Sequence, residues 1–122
     1  MAVEQGQAPF FLKRGRDIQY IKQHGRRVST GAFNLQFCPM AWEGAMLGIV
    51  VGRRFGTAVS RNRAKRLFRE LGRSVREALV PGYGLLVFPK RECLNKSFVE
   101  LRSTWQSTLQ KQQLVHRGQP SS

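Results

Sequence analysis

The side chains of this sequence best placed to do chemistry are cations, not acids or nucleophiles. Arg53 and Arg54 stand as a pair, and Ser60-Arg-Asn-Arg-Ala-Lys-Arg-Leu-Phe-Arg-Glu70 follows shortly after. At 100° per residue, a helix begun near Ala58 gathers Asn62, Lys65, Arg66, Arg69, Arg73 and Arg76 on one side. Ala64, Leu67, Phe68, Leu71, Val75 and Leu79 gather on the other. An apolar stripe needs a protein core behind it. A stripe of cations broken only by an amide needs a polyanion in front. Guanidinium groups grip phosphate in bidentate fashion and stack on bases, which suits a structured RNA or DNA. The rod therefore reads as a helix laid on nucleic acid.

The whole chain leans the same way. Its 122 residues carry 21 Lys and Arg against 7 acids, a net charge of +14. Such an excess repels itself, and bound phosphates relieve the repulsion. Charge kept for solubility alone would favour acids. Membrane binding would want an apolar anchor beside the cations, and none is evident. No apolar run approaches the ~18 residues of a spanning helix. Met1-Ala-Val-Glu-Gln-Gly-Gln7 lacks the basic and apolar regions of a signal peptide. A cytoplasmic protein with no membrane partner is expected.

Protein-based catalysis finds little support. A metal-dependent nuclease needs carboxylates converging on one or two ions. Glu4, Asp17, Glu43, Glu70, Glu77, Glu92 and Glu100 are scattered instead. Glu70 and Glu77 share a helix face but lie about 10 Å apart along the axis. They read better as ion-pair partners of neighbouring arginines. His24 and His116 are remote from one another in sequence. Cys38 and Cys93 show no metal-ligand spacing and, in a reducing compartment, form no disulfide. No catalytic or metal-ligating residues are assigned.

The elements that must hold the basic helix follow from periodicity. Residues 16–25 read as a short helix stopped at Gly25, with Ile18 and Ile21 packing. Phe33, Leu35 and Phe37 alternate with Asn34, Gln36 and Cys38 as in a half-buried strand, and 45–53 reads as its hairpin partner. The basic helix takes its cap from Thr57 or Ser60 and ends near Leu79, because Pro81-Gly82 cannot continue it. Gly84-Leu-Leu-Val-Phe88 reads as an interior strand buried on both faces. Ser97 and Glu100 have capping-box spacing before a last helix to Gln112, with Phe98, Leu101, Trp105 and Leu109 as its buried stripe. The order helix-strand-strand-helix-strand-helix implies an α+β two-layer sandwich on a small mixed sheet. One domain, 11–113, is expected between tails at 1–10 and 114–122.

From Leu12 to about Gln112 the sequence resembles the bacterial ribonuclease P protein family. The likeness rests on Arg61-Asn-Arg63 with Lys65, Arg66 and Arg69 on the same helix. Gly48-Ile-Val-Val-Gly-Arg-Arg-Phe-Gly56 before it and Leu85-Leu-Val-Phe-Pro-Lys90 after it also match. The resemblance implies a ribonucleoprotein endonuclease that removes the 5′ leader from precursor tRNA, with catalytic Mg²⁺ on the RNA subunit. It implies a monomeric protein in a 1:1 complex with ribonuclease P RNA, also touching the precursor tRNA leader. It further implies a left-handed strand-helix-strand crossover over 45–88, against the usual hand. Carried over by position, Arg53, Arg54, Arg61, Asn62, Arg63, Lys65, Arg66 and Arg69 face RNA, with Arg73 on the same stripe. The family runs the leader between its first helix and one sheet face. Ile18 and Lys22 stand where several relatives carry aromatics there, and Gln36 replaces a strand aromatic. Tyr20, Lys22, Asn34 and Gln36 are the expected cleft contacts, with Ile18 in core packing. The alternative reading is a noncatalytic ribosomal or RNA-chaperone protein. A helix-turn-helix DNA binder would want a second helix where 47–51 reads as strand.

Overall fold

The structure, a computed structural model, describes residues 10–116. Three helices and four strands follow in the order α1 (Gly15–His24), β1 (Arg26–Ser29), β2 (Phe33–Pro39), β3 (Met46–Ile49), α2 (Ala58–Val75), β4 (Tyr83–Pro89) and α3 (Phe98–Lys111). Short 3-10 turns at Arg53–Phe55, Arg76–Ala78 and Arg91–Asn95 lead into α2, out of it, and towards α3.

The sheet is mixed, in the order β1-β2-β4-β3. β2 pairs antiparallel with both β1 and β4, and β3 pairs parallel with β4. Two expectations fail here. The segments at 33–38 and 45–53 are not a hairpin, because β4 lies between them. The reason is in β4 itself: Leu85, Leu86 and Val87 are all buried, and a strand apolar on both faces belongs in the middle of a covered sheet. β3 then joins it in parallel through α2, which makes the strand-helix-strand unit. The second miss is β1. Its Arg-Arg-Val-Ser carries no apolar alternation and is largely exposed, so pairing with β2 alone makes it a strand. β3 also stops at Ile49, short of the expected Arg53. The chain turns there through Gly52 and the 3-10 turn to Gly56, whose φ of 154° and ψ of −152° suit glycine.

One face of the sheet meets α2 and α3. Phe33, Phe68 and Trp105 pack edge to face with centroids 5.5–5.9 Å apart. The Trp105 indole donates to the Leu71 carbonyl at 3.1 Å, tying α3 to the backbone of α2. Leu101 and Leu109 complete the stripe, and Ser97 and Glu100 form the capping box. The other face carries a third, partial layer. Ile21 of α1 packs with Leu12, Cys38 and Leu86, and Ile18 lies beside them as expected of a packing residue. Gly84 permits the approach, since a Cβ there would sit 2.7 Å from Ile21 Cδ1.

The packed unit runs slightly beyond its expected bounds. Phe10 is buried, and Leu47 donates to its carbonyl at 2.9 Å. Leu114 is buried and accepts from Val80 N–H at 2.8 Å, while His116 N–H donates to Ala78. The remaining tail residues, 1–9 and 117–122, lie outside the described residues. α2 ends at Val75 instead of Leu79, because Arg76–Ala78 tightens into the 3-10 turn. Leu79 still buries, bridged to Val115.

Candidate nucleic-acid interface

α2 starts firmly. Thr57 Oγ1 accepts from Ser60 N–H at 3.1 Å, and Ser60 Oγ donates to the Thr57 carbonyl at 2.9 Å. Of the two expected caps, Thr57 is the one used. Arg61 is half-buried, and its Nη1 donates to Gly56 O at 2.7 Å, bracing the turn before the helix. Ala64, Phe68, Leu71, Gly72 and Val75 face the core. Leu67, expected to be buried, is half-buried at the margin. At Gly72 a Cβ would lie 2.6 Å from Leu47 Cδ2, so glycine brings the helix down onto β3.

The opposite side is a row of cations. Arg53, Arg54, Asn62, Arg63, Arg66, Arg69 and Arg73 are exposed, and Lys65 is half-buried. Arg73 reaches Glu70 at 3.7 Å and lies over the Phe11 ring at 5.5 Å. Arg76 lies over the Phe10 ring at 5.1 Å. Arg53, Arg54, Arg63, Arg66 and Arg69 make no ion pair or hydrogen bond with any described residue. The first turn of α2 carries no acid, although its unpaired N–H groups present partial positive charge. Cations added to that end repel the dipole and one another. A bound polyanion resolves both conflicts.

The sheet face beyond α1 is open. A cavity of about 390 Å³ there is lined by Arg27 and Ser29 of β1, Asn34 and Gln36 of β2, and Phe88 of β4. A second, of about 460 Å³, lies on the far side of Phe88, against Val50, Arg54 and Lys90. Of the four expected cleft residues, Asn34 and Gln36 line the first cavity; Tyr20 and Lys22 do not. Tyr20 stacks on His24 along α1, with centroids 4.3 Å apart. Gln36 is only 4% exposed, and its Nε2 donates to the Lys22 carbonyl at 3.2 Å, with those of Ile21 and Gly25 at 3.4 and 3.5 Å. That amide holds the carbonyl end of α1. Arg27 and Phe88 were not anticipated. Arg27 sits on the strand that lacks a sequence signal. Phe88 could have been found from the period of two, which puts it on the Leu86 side of β4.

Cys38 and Cys93 are buried free thiols. Burial pushes the Cys93 thiol up to about 11, outweighing the opposite pull of nearby Arg63. Among the described residues, no group of three His, Cys, Asp or Glu could hold a metal ion. No helix among them is long and apolar enough to cross a membrane.

The Ribonuclease P family model matches residues 8–113. A ribonuclease P protein component from Synechococcus sp. (strain JA-2-3B'a(2-13)) is 38% identical over 113 residues, covering 88% of this chain and 85% of that protein. Another, from Herpetosiphon aurantiacus, is 32% identical over 111 residues and covers 90% of each. The solved RNase P protein of Thermotoga maritima matches with a TM-score of 0.73 at 29% identity, over 82% of this chain and 94% of that one. The Staphylococcus aureus protein, at 21% identity, shares the fold with a TM-score of 0.79 over 89% of this chain and 100% of its own.

Proposed function

The chain belongs to the ribonuclease P protein family, and from that premise we propose that the arginine face of α2 docks on the ribonuclease P RNA while the open sheet face holds the 5′ leader of precursor tRNA. As the family's protein component, the chain is a subunit of a ribonucleoprotein endoribonuclease of tRNA maturation and partners the ribonuclease P RNA. The observation that carries the docking assignment is the row Arg53, Arg54, Arg63, Arg66 and Arg69, without an ion-pair or hydrogen-bond partner among the described residues and backed by a packed core.

In this reading the protein positions and the RNA reacts. The catalytic Mg²⁺ ions sit on the RNA subunit, which supplies the hydrolytic chemistry. The guanidinium row fixes α2 on the RNA backbone, and Arg61 keeps the start of that helix rigid through its bond to Gly56 O. Contacts to phosphate set register without reading sequence. Asn34 and Arg27 offer an amide and a cation to a single strand crossing the sheet. One protein serves one RNA, in the cytoplasm.

Hydroxyl-radical protection of the ribonuclease P RNA tests the docking. The protein protects discrete backbone positions, and Arg63→Ala/Arg66→Ala removes part of that footprint while the fold survives. An unchanged footprint in the double variant refutes the assignment.

A further inference from the structure

Phe88 is the aromatic shared by both cavities on the open sheet face. In the register it stands opposite Asn34, which stands opposite Ser29, so one row crosses β4, β2 and β1. The ring is half-buried: its body packs with the Leu86 and Ile21 cluster, and its remaining surface faces the cavities. Arg27 lines the first cavity and Arg54 the second. Neither guanidinium has an ion-pair or hydrogen-bond partner among the described residues. The two linings are tied together, where Lys90 of the second cavity donates through Nζ to Thr30 O at 2.6 Å and to Ser29 Oγ of the first at 3.1 Å. α1 brings no aromatic to the first cavity, because Tyr20 is turned onto His24.

A half-buried apolar ring, a guanidinium in the lining of each flanking cavity, and an amide opposite it in the register suit one unpaired nucleotide in a continuous strand. We infer that Phe88 is the stacking residue of the leader path, taking one base on its ring while Arg27 and Arg54 receive the phosphates on either side. This assignment rests on the proposed leader-binding role of the sheet face. Stacking tolerates any base, so the site grips leaders of differing sequence. It moves the aromatic of the cleft from the first helix to the central strand, which matches the occupation of the helix positions by Ile18 and Lys22.

The test uses holoenzyme reconstituted from the full chain and a bacterial ribonuclease P RNA. Affinity is measured for a precursor tRNA with a long leader and for one whose leader is cut to a single nucleotide. Three proteins are compared: unaltered, Phe88→Leu and Phe88→Tyr. Loss of one stacked base weakens binding about five- to 150-fold. Phe88→Leu is expected to lose at least about fivefold on the long leader, to leave the short-leader precursor unchanged, and to be rescued in Phe88→Tyr. If the unaltered holoenzyme binds both precursors equally, the leader-binding role itself fails, and this assignment with it. If it prefers the long leader and Phe88→Leu keeps that preference, the cleft stands but Phe88 is not its stacking residue. Equal weakening on both precursors marks Phe88 as structural only, and also overturns the inference.

Discussion

Replacing Arg66 and Arg69 together with alanine separates the two faces of α2. Both side chains are exposed and have no ion-pair or hydrogen-bond partner among the described residues, so folding stability should change by less than about 1 kcal/mol. Their effect on RNA binding is read from salt. Each phosphate neutralised contributes about 0.7–0.9 to the slope of log K against log salt, depending on the strandedness of the site. Two lost contacts should therefore make the slope shallower by about 1.4–1.8. Between 50 and 200 mM salt, a fourfold change, the double variant should lose roughly 7- to 12-fold less affinity than the unaltered protein. The assay is a fluorescence titration of labelled ribonuclease P RNA at several salt concentrations, beside thermal unfolding of the free protein. An unchanged slope, or a protein that unfolds while RNA affinity persists, refutes the assignment of faces.

Phe68→Ala should cost ~3–5 kcal/mol in chemical denaturation, because the ring is fully buried against Phe33 and Trp105. Leu67→Ala should cost clearly less, Leu67 being half-buried. Gly25→Ala should lower stability by roughly 1–3 kcal/mol in urea unfolding, since its Cβ would lie 2.5 Å from the Ile21 carbonyl oxygen. Cys93, with its thiol raised to about 11 from the ordinary 9.0, should alkylate at pH 8 about 100-fold more slowly than an unfolded thiol, from thiolate fraction alone. The folded state holds that proton more tightly, so the contribution of Cys93 to stability falls as pH climbs from 9 through 11. A mass-spectrometric time course that labels native Cys93 at the unfolded rate would contradict its burial.

What was legible in the sequence was local. The faces of α2 follow from a period of 3.6 sustained over five turns, and the α3 cap from the spacing of Ser97 and Glu100; the sequence narrows the α2 cap to Thr57 or Ser60, and the structure uses Thr57. The pairing of the strands was not legible, because it depends on which strand is covered on both sides. β4 takes the centre, and the neighbours in sequence, β2 and β3, end up on either side of it. Gln36 shows the same gap at one residue. Alternation placed it on an open face, but α1 folds over that face, and the Gln36 amide is buried on the carbonyls of Ile21, Lys22 and Gly25. The exposed face of the arginine row is legible, since its spacing is its signal; its contact with RNA stays a proposal. Arg27 is not legible because only the pairing of β1 with β2 sets it opposite Gln36; the period of two puts Phe88 on the Leu86 side, but only the pairing of β4 with β2 sets it opposite Asn34.

Reconstitution decides whether this chain contributes RNA binding to an RNA-catalysed cleavage. Protein freed rigorously of RNA is incubated with precursor tRNA and Mg²⁺, alone and with a bacterial ribonuclease P RNA. The protein alone should cleave nothing. With the RNA present, at a Mg²⁺ concentration where that RNA works poorly unaided, the protein should stimulate release of the 5′ leader. Specific leader cleavage by RNA-free protein, or an RNA whose activity the protein leaves unchanged, would contradict that contribution.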